Sequence, residues 1–140
     1  MFMFILLFCI AIILTYLSWT DITSRTISNN VVLVLLPFVV AFAWLNYSQI
    51  FILPAALTLI IGFLLFILKV IGAGDIKLLT VLMLAIPSSE VINFLFLTSF
   101  FGLLLVIFGL LFWRKSIKTQ GLPYGVAISL GFLSHFWLIY

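Results

Sequence analysis

Charge is nearly missing from this sequence: 6% of its 140 residues are Asp, Glu, Lys or Arg, against about a quarter in a water-soluble domain. With 67% apolar residues and a mean hydropathy of +1.53, the chain has too few polar groups to cover a soluble surface and is read as an integral membrane protein. Cysteine is scarce as well. The single Cys9 excludes a disulfide framework and any multi-cysteine zinc site, and a lone His135 cannot assemble a metal centre. No metal and no organic cofactor is expected. There is no internal repeat and no low-complexity linker, and the polar stretches are too short to hold a soluble domain.

What the sequence does have is long apolar runs, separated by brief interruptions. At about 20 apolar residues per crossing, 140 residues hold at most about six spans. The first runs from Phe2 to Trp19. No basic residue precedes it and no small-residue cleavage pattern follows, so it is read as a retained helix and not a secretory signal. The stretch from Asp21 to Asn30 leads into a second run, Val31 to Leu45, with Ser28, Asn29 and Asn30 as candidate N-caps. The third runs from Ile50 to Ile71 and stops at Gly72-Ala73-Gly74-Asp75. A short fourth, Ile76 to Ile86, ends at Pro87-Ser88-Ser89-Glu90. The fifth is Val91 to Trp113, Arg114 to Gln120 reads as a polar loop, and Pro123 to Tyr140 is the sixth.

Six crossings place Arg25, Lys69, Lys77, Arg114, Lys115 and Lys118 on one side of the membrane and no basic residue on the other. Cytoplasmic loops carry the excess of Lys and Arg, so the pattern predicts an all-α, polytopic protein with six transmembrane helices, one domain over 1–140 and both termini outside. A re-entrant fourth run would move the last three basic residues across and erase the asymmetry. Trp44, Tyr47, Trp137 and Tyr140 then fall near the outer interface, where aromatic belts lie.

The same topology puts two of the three acids, Asp21 and Asp75, at the cytoplasmic membrane edge, with Glu90 alone outside. Ionisable groups at a membrane are costly, which makes the two acids candidates for shared chemistry. Two carboxyl groups that approach each other split one proton between them, and such a pair can hydrolyse a peptide: one member takes a proton from water, the other polarises the scissile carbonyl. Macrodipoles favour charge on Asp75, at a helix start, and a retained proton on Asp21, near a helix end. Gly72 and Gly74 let the backbone turn sharply and let another chain come close. The plainer alternatives are that Asp75 caps the fourth run and Asp21 is a polar flank of the first. Arg25 reads as an anchor beside a span or as a group orienting the pair, and Lys77, two residues from Asp75, as an anchor or as support for its ionised form. His135 reads as a satisfied buried polar group and Cys9 as packing.

Asp21-x-x-x-Arg25-x-Ile27-x-Asn29, Gly72-Ala73-Gly74-Asp75-Ile76-Lys77-Leu78-Leu79, and then Leu122-Pro123-Tyr124-Gly125 with Gly131 resemble the type IV prepilin peptidase family, whose aspartic-protease site uses a Gly-x-Gly-Asp motif. The likeness spans nearly the whole chain. It implies that Asp21 and Asp75 are the catalytic pair, with Arg25, Asn29, Gly72, Gly74, Lys77, Pro123 and Gly125 binding substrate or supporting the site, and no metal. The implied substrate is a prepilin or pseudopilin, a single apolar helix behind a short basic leader, cut at the cytoplasmic face of a bacterial or archaeal membrane. The implied partners are that substrate, the lipid bilayer and the pilus assembly machinery, with no nucleic acid. Larger members add an N-terminal cysteine-bearing domain with methyltransferase activity. This sequence starts at its first span, so no methylation of the new amino terminus is expected, and its size is similar to the minimal peptidases of Flp or tight-adherence pili. Ser28 stands where the family commonly has proline. Other Gly-x-Gly-Asp proteases, presenilin-like and signal-peptide-peptidase-like, are larger. From outside the enzyme class, a membrane subunit or a small proton- or cation-coupled transporter would also carry two intramembrane acids.

Overall fold

Inward-facing residues of the first helix recur at Ile10, Leu14, Leu17 and Asp21, all buried. Steps of four, three and four keep them on one stripe of a 3.6-residue helix, so the acid lies on the face that the apolar residues bury. In the computed structural model, which describes residues 1–140, this helix is α1 (Phe2–Ser24), followed by α2 (Asn29–Tyr47), α3 (Ile52–Ile67), α4 (Ala73–Met83), α5 (Val91–Phe112), α6 (Arg114–Gln120) and α7 (Tyr124–Ile139). A single 3-10 turn, Ser88–Glu90, leads into α5. There is no strand.

Each of the six apolar runs becomes a helix, and helix length then separates them. Three helical segments, Phe2–Ser24, Asn29–Tyr47 and Ser88–Phe112, are long and apolar enough to cross a membrane. Taken as one span, α6 and α7 would make a fourth, but they meet at 103°. At 16 residues α3 is shorter, and α4 has 11, about 16 Å of rise against a hydrocarbon core of about 30 Å. The third run is expected to reach Ile71, yet its helix stops at Ile67. Lys69 takes a left-handed conformation there (φ 58°) and makes the turn assigned to glycine, while Gly72 has an ordinary extended backbone.

Two other boundaries differ from the sequence pattern. Asp21 does not follow the first helix but lies within it, because α1 continues to Ser24 and is closed by Arg25 in the left-handed region (φ 52°). The stretch Arg114–Gln120, expected as a loop, is helical: Ile117 seats its side chain against Gly109 of α5, which gives the segment an apolar contact to fold on. Ser28 does stand at the N-cap of α2, though without a side-chain hydrogen bond.

α1 packs against α2 and α7, α4 against α2, α3 and α7, and α5 against α7. In lipid, helix association depends on close packing more than on water exclusion, so small residues at crossings matter. At the α5–α7 crossing a Cβ on Gly131 would lie 2.9 Å from the Thr98 Cα, which only glycine permits. The core gathers Phe42, Phe94, Phe132 and Phe136 with aliphatic residues of α1, α2 and α4. Phe4 of α1 meets Tyr140 after α7 at 6.2 Å between rings, so the start of α1 and the end of α7 share one end of the bundle. The basic residues lie at the other.

Candidate active site

Asp21 is 5% exposed, and its Oδ2 accepts the backbone N–H of Gly125 at 2.7 Å. That N–H belongs to the first turn of α7, one of the donors a helix leaves without an internal partner. Pro123, buried, holds the N-cap position ahead of it and lacks an N–H of its own. The approach is too close for a larger residue: a Cβ at position 125 would stand 2.7 Å from Asp21 Oδ2 and 3.2 Å from Ile27 Cδ1. The late Pro-Tyr-Gly string is thereby tied to the acid of α1.

Asp75 is half-buried in the first turn of α4, with Ile76 buried behind it. Gly74 packs against Ile27, where an added Cβ would lie 3.0 Å from the Ile27 Cβ, and a Cβ on Gly72 would meet Asp75 Oδ2 at 3.6 Å, an ordinary contact. At Gly74 the close neighbour is this chain's own Ile27, where the approach of another chain was expected. Asp21 and Asp75 face the same cavity of about 330 Å³, with Arg25, Thr26, Gly72, Gly74 and Gln120 in its wall. Burial first, and then the neighbouring Asp21 carboxylate, push Asp75 from its ordinary 3.8 up to about 6. The helix dipole of α4 favours charge on this acid, and loss of water around it opposes that preference.

The structure brings the remaining sequence candidates to the same end. Arg25 does not reach either carboxyl: Nη1 donates to the carbonyl oxygens of Ile22 (2.9 Å) and Asp21 (3.3 Å), closing α1, and Nη2 donates to Ser116 Oγ at 3.1 Å, holding α6 to α1. Lys77 turns away from Asp75, and its Nζ donates to Asn29 Oδ1 at 2.8 Å, which ties α4 to the start of α2. These two side chains set helix positions around the cavity. Ile27, Ser116 and Gln120 belong to the site's frame but were invisible as candidates, since an isoleucine between two helices and two polar residues in a basic stretch carry no chemical signature. The pattern of Ile27 beside Arg25 and Asn29 was the only available signal.

His135 lies apart from this site. It is 2% exposed, between the rings of Phe94 and Phe136, and its Nε2 has no hydrogen-bond partner. It is buried, as expected, but not satisfied. Cys9 is half-buried in α1. No group of three or more His, Cys, Asp or Glu side chains comes together that could hold a metal ion.

Chemically, the cavity offers two carboxyl groups from different helices, with a mouth of polar and basic groups. Such a pair can carry one proton between them and exchange it with a bound water. A model of the type IV leader peptidase family matches residues 6–107, which include both acids and the Gly-x-Gly-Asp segment. No curated protein and no solved structure matches the chain.

Proposed function

The chain belongs to the type IV leader peptidase family, and from that premise we propose that it is an aspartic endopeptidase that removes the leader of Flp-type prepilins. One observation carries this reading: Asp21 of α1 and Asp75 of α4 line a single polar cavity of about 330 Å³ in an otherwise apolar bundle. Asp75, the acid raised to about 6, is the seat of the shared proton, and Asp21 is the base. Water held between them adds to the scissile carbonyl carbon. Asp21 takes the proton that the water loses, and Asp75 gives its proton to the carbonyl oxygen. Collapse of the tetrahedral adduct breaks the C–N bond. The leaving nitrogen takes the proton from Asp21, and the oxyanion's proton returns to Asp75, so the pair ends as it began.

The substrate's sidedness follows from charge. Arg25 contacts Ser116 of α6, and Lys77 contacts Asn29 at the start of α2, so the basic residues share the end of the bundle that holds the two acids. The positive-inside preference puts that end in the cytoplasm. Six crossings with both termini outside satisfy it, with Asp75 ahead of the fourth run, Ile76 to Ile86. The leader is then cut at the cytoplasmic face of the cell membrane.

The test is co-expression with candidate prepilins, following leader removal by gel mobility and by the mass of the new amino terminus. Wild type is expected to process at least one of them, and Asp21→Asn and Asp75→Asn to process none. Processing that persists in either variant removes that acid from catalysis.

A further inference from the structure

Gln120, the last residue of α6, is positioned from both sides by the end of α1. Ahead of it, Ser116 Oγ accepts Arg25 Nη2 at 3.1 Å; after it, the Gly125 N–H reaches Asp21 Oδ2 at 2.7 Å. Between these two ties, Gly121 turns the chain at φ 81°, in the region that favours glycine, and Ile117 seats against Gly109 of α5. A helix of seven residues is too short to persist by itself. Held in this way, it brings Gln120 into the wall of the cavity that contains Asp21 and Asp75.

We infer that the side-chain amide of Gln120 binds the substrate's main chain beside the scissile bond, and that the Arg25–Ser116 contact places it there. This rests on the peptidase reading above and adds to it a residue that holds the substrate.

The other polar side chains of the cavity are already committed. Arg25 donates to the carbonyl oxygens of Ile22 and Asp21 and to Ser116, and the Thr26 hydroxyl pairs with that of Ser24 at 2.9 Å. The two carboxyl groups have the water and the scissile carbonyl to serve. Gln120 is exposed and its amide makes no hydrogen bond within the protein. A peptide has to leave the helical conformation at the bond being cut, and its freed N–H and C=O groups then need partners. Carboxylates only accept and guanidinium groups only donate, whereas a primary amide does both at one point. One glutamine therefore matches both groups of an extended peptide unit. Its neutrality matters too, because a charged side chain in this wall would shift the proton that the two acids share.

The experiment uses the full-length protein in membranes and the prepilin processed in the co-expression test. KM is the readout, since it does not depend on how much of a variant folds, and kcat is measured beside it. Gln120→Ala is expected to raise KM about tenfold, the scale of one or two hydrogen bonds lost from binding, and to leave kcat within about twofold, as for an interaction equally strong in ground and transition states. The same rise is expected for prepilins whose second and third residues before the cut are changed to Ala, because the amide reads the main chain. Ser116→Ala is expected to raise KM about threefold, and the double variant no further than Gln120→Ala alone, since the first change acts through the second residue. Thr119→Ala, exposed on α6 and outside the cavity wall, is expected to leave KM within about twofold. A Gln120→Ala KM close to that of wild type, a rise that vanishes with a changed leader side chain, or an equal rise in Thr119→Ala overturns the main-chain contact. Additive rises in the double variant overturn its placement by Arg25. Each of these leaves the peptidase reading standing as long as wild type cuts, and failure of wild type to cut any prepilin overturns both.

Discussion

Asp21 accepts the backbone N–H of Gly125 at 2.7 Å, a contact between residues 104 positions apart that joins the last turns of α1 to the first turn of α7. The acid is therefore a helix cap as well as a member of the pair. Capping fixes where its carboxyl points, which a side chain hanging from one helix end would not achieve alone. It also means that loss of Asp21 combines a structural effect with a chemical one, and the two have to be separated.

Asparagine separates them. An amide oxygen accepts the Gly125 N–H as a carboxylate oxygen does but cannot take a proton from water, so Asp21→Asn is expected to abolish cleavage while leaving the thermal midpoint nearly unchanged. Asp21→Ala removes the acceptor and is expected to cost about 1–2 kcal/mol of stability, the usual loss for a capping side chain. Differential scanning fluorimetry in detergent, beside the cleavage assay, distinguishes the two. Equal midpoints for Asp21→Ala and wild type would show that the cap contributes nothing.

Gly125→Ala tests the same contact from the other side. The new Cβ would stand 2.7 Å from Asp21 Oδ2, so the carboxyl has to shift from its place in the cavity. Misplacement of a reacting group by about 1 Å commonly costs about a hundredfold in rate, and a drop of that order in kcat is expected with both acids intact. Activity within threefold of wild type would mean that the pair tolerates displacement.

The pH dependence follows from Asp75. Its pKa is raised from 3.8 to about 6 by burial and by the Asp21 carboxylate, so the stability it confers is full below about pH 4 and is lost as pH rises through about 6. Wild type is therefore expected to be less stable than Asp75→Asn above pH 6, with the difference shrinking toward pH 4. In the proposed mechanism cleavage needs the proton on Asp75, so kcat/KM is expected to fall about tenfold per pH unit above about 6. A cleavage profile flat from pH 5 to 8 would contradict the assignment of the proton.

Much of this site was legible in the sequence because its chemistry is written in rare residues. With three acids in the chain, Asp21 and Asp75 stood out, while the inward turn of Asp21 beside Ile10, Leu14 and Leu17 came only from the structure. Geometry that depends on what lies across the bundle was not legible. Nothing in the local pattern says that Arg25 would use its guanidinium on the end of α1 and on Ser116, or that Lys77 would reach Asn29 instead of Asp75. The helix at Arg114–Gln120 was hidden because a run of charged residues reads as solvent-exposed, while its one apolar residue, Ile117, finds Gly109 on a helix that precedes it. The turn before α4 was assigned to glycine because glycine is the usual left-handed residue; Lys69 adopts that conformation instead.

Topology yields the last prediction, and it turns on α4. The fourth run, Ile76 to Ile86, rises no more than about 16 Å, short of the hydrocarbon core of about 30 Å, so a crossing requires local thinning or shelter by α2, α3 and α7, which surround it. If it crosses, the loops at residues 48 and 89 face the outside, and residue 118 faces the cytoplasm with the other basic residues. If it is re-entrant, residues 89 and 118 exchange sides. In a Cys9→Ser background, single cysteines at Ser48, Ser89 and Lys118, all exposed, are treated in intact cells with a membrane-impermeant maleimide. Labelling at 48 and 89 without labelling at 118 is expected. Labelling at 118 with protection at 89 would make α4 a hairpin and place the basic residues of α6 on the opposite side of the membrane from Arg25. The Arg25–Ser116 hydrogen bond joins those two segments directly, so the labelling result also decides whether that contact exists in the cell.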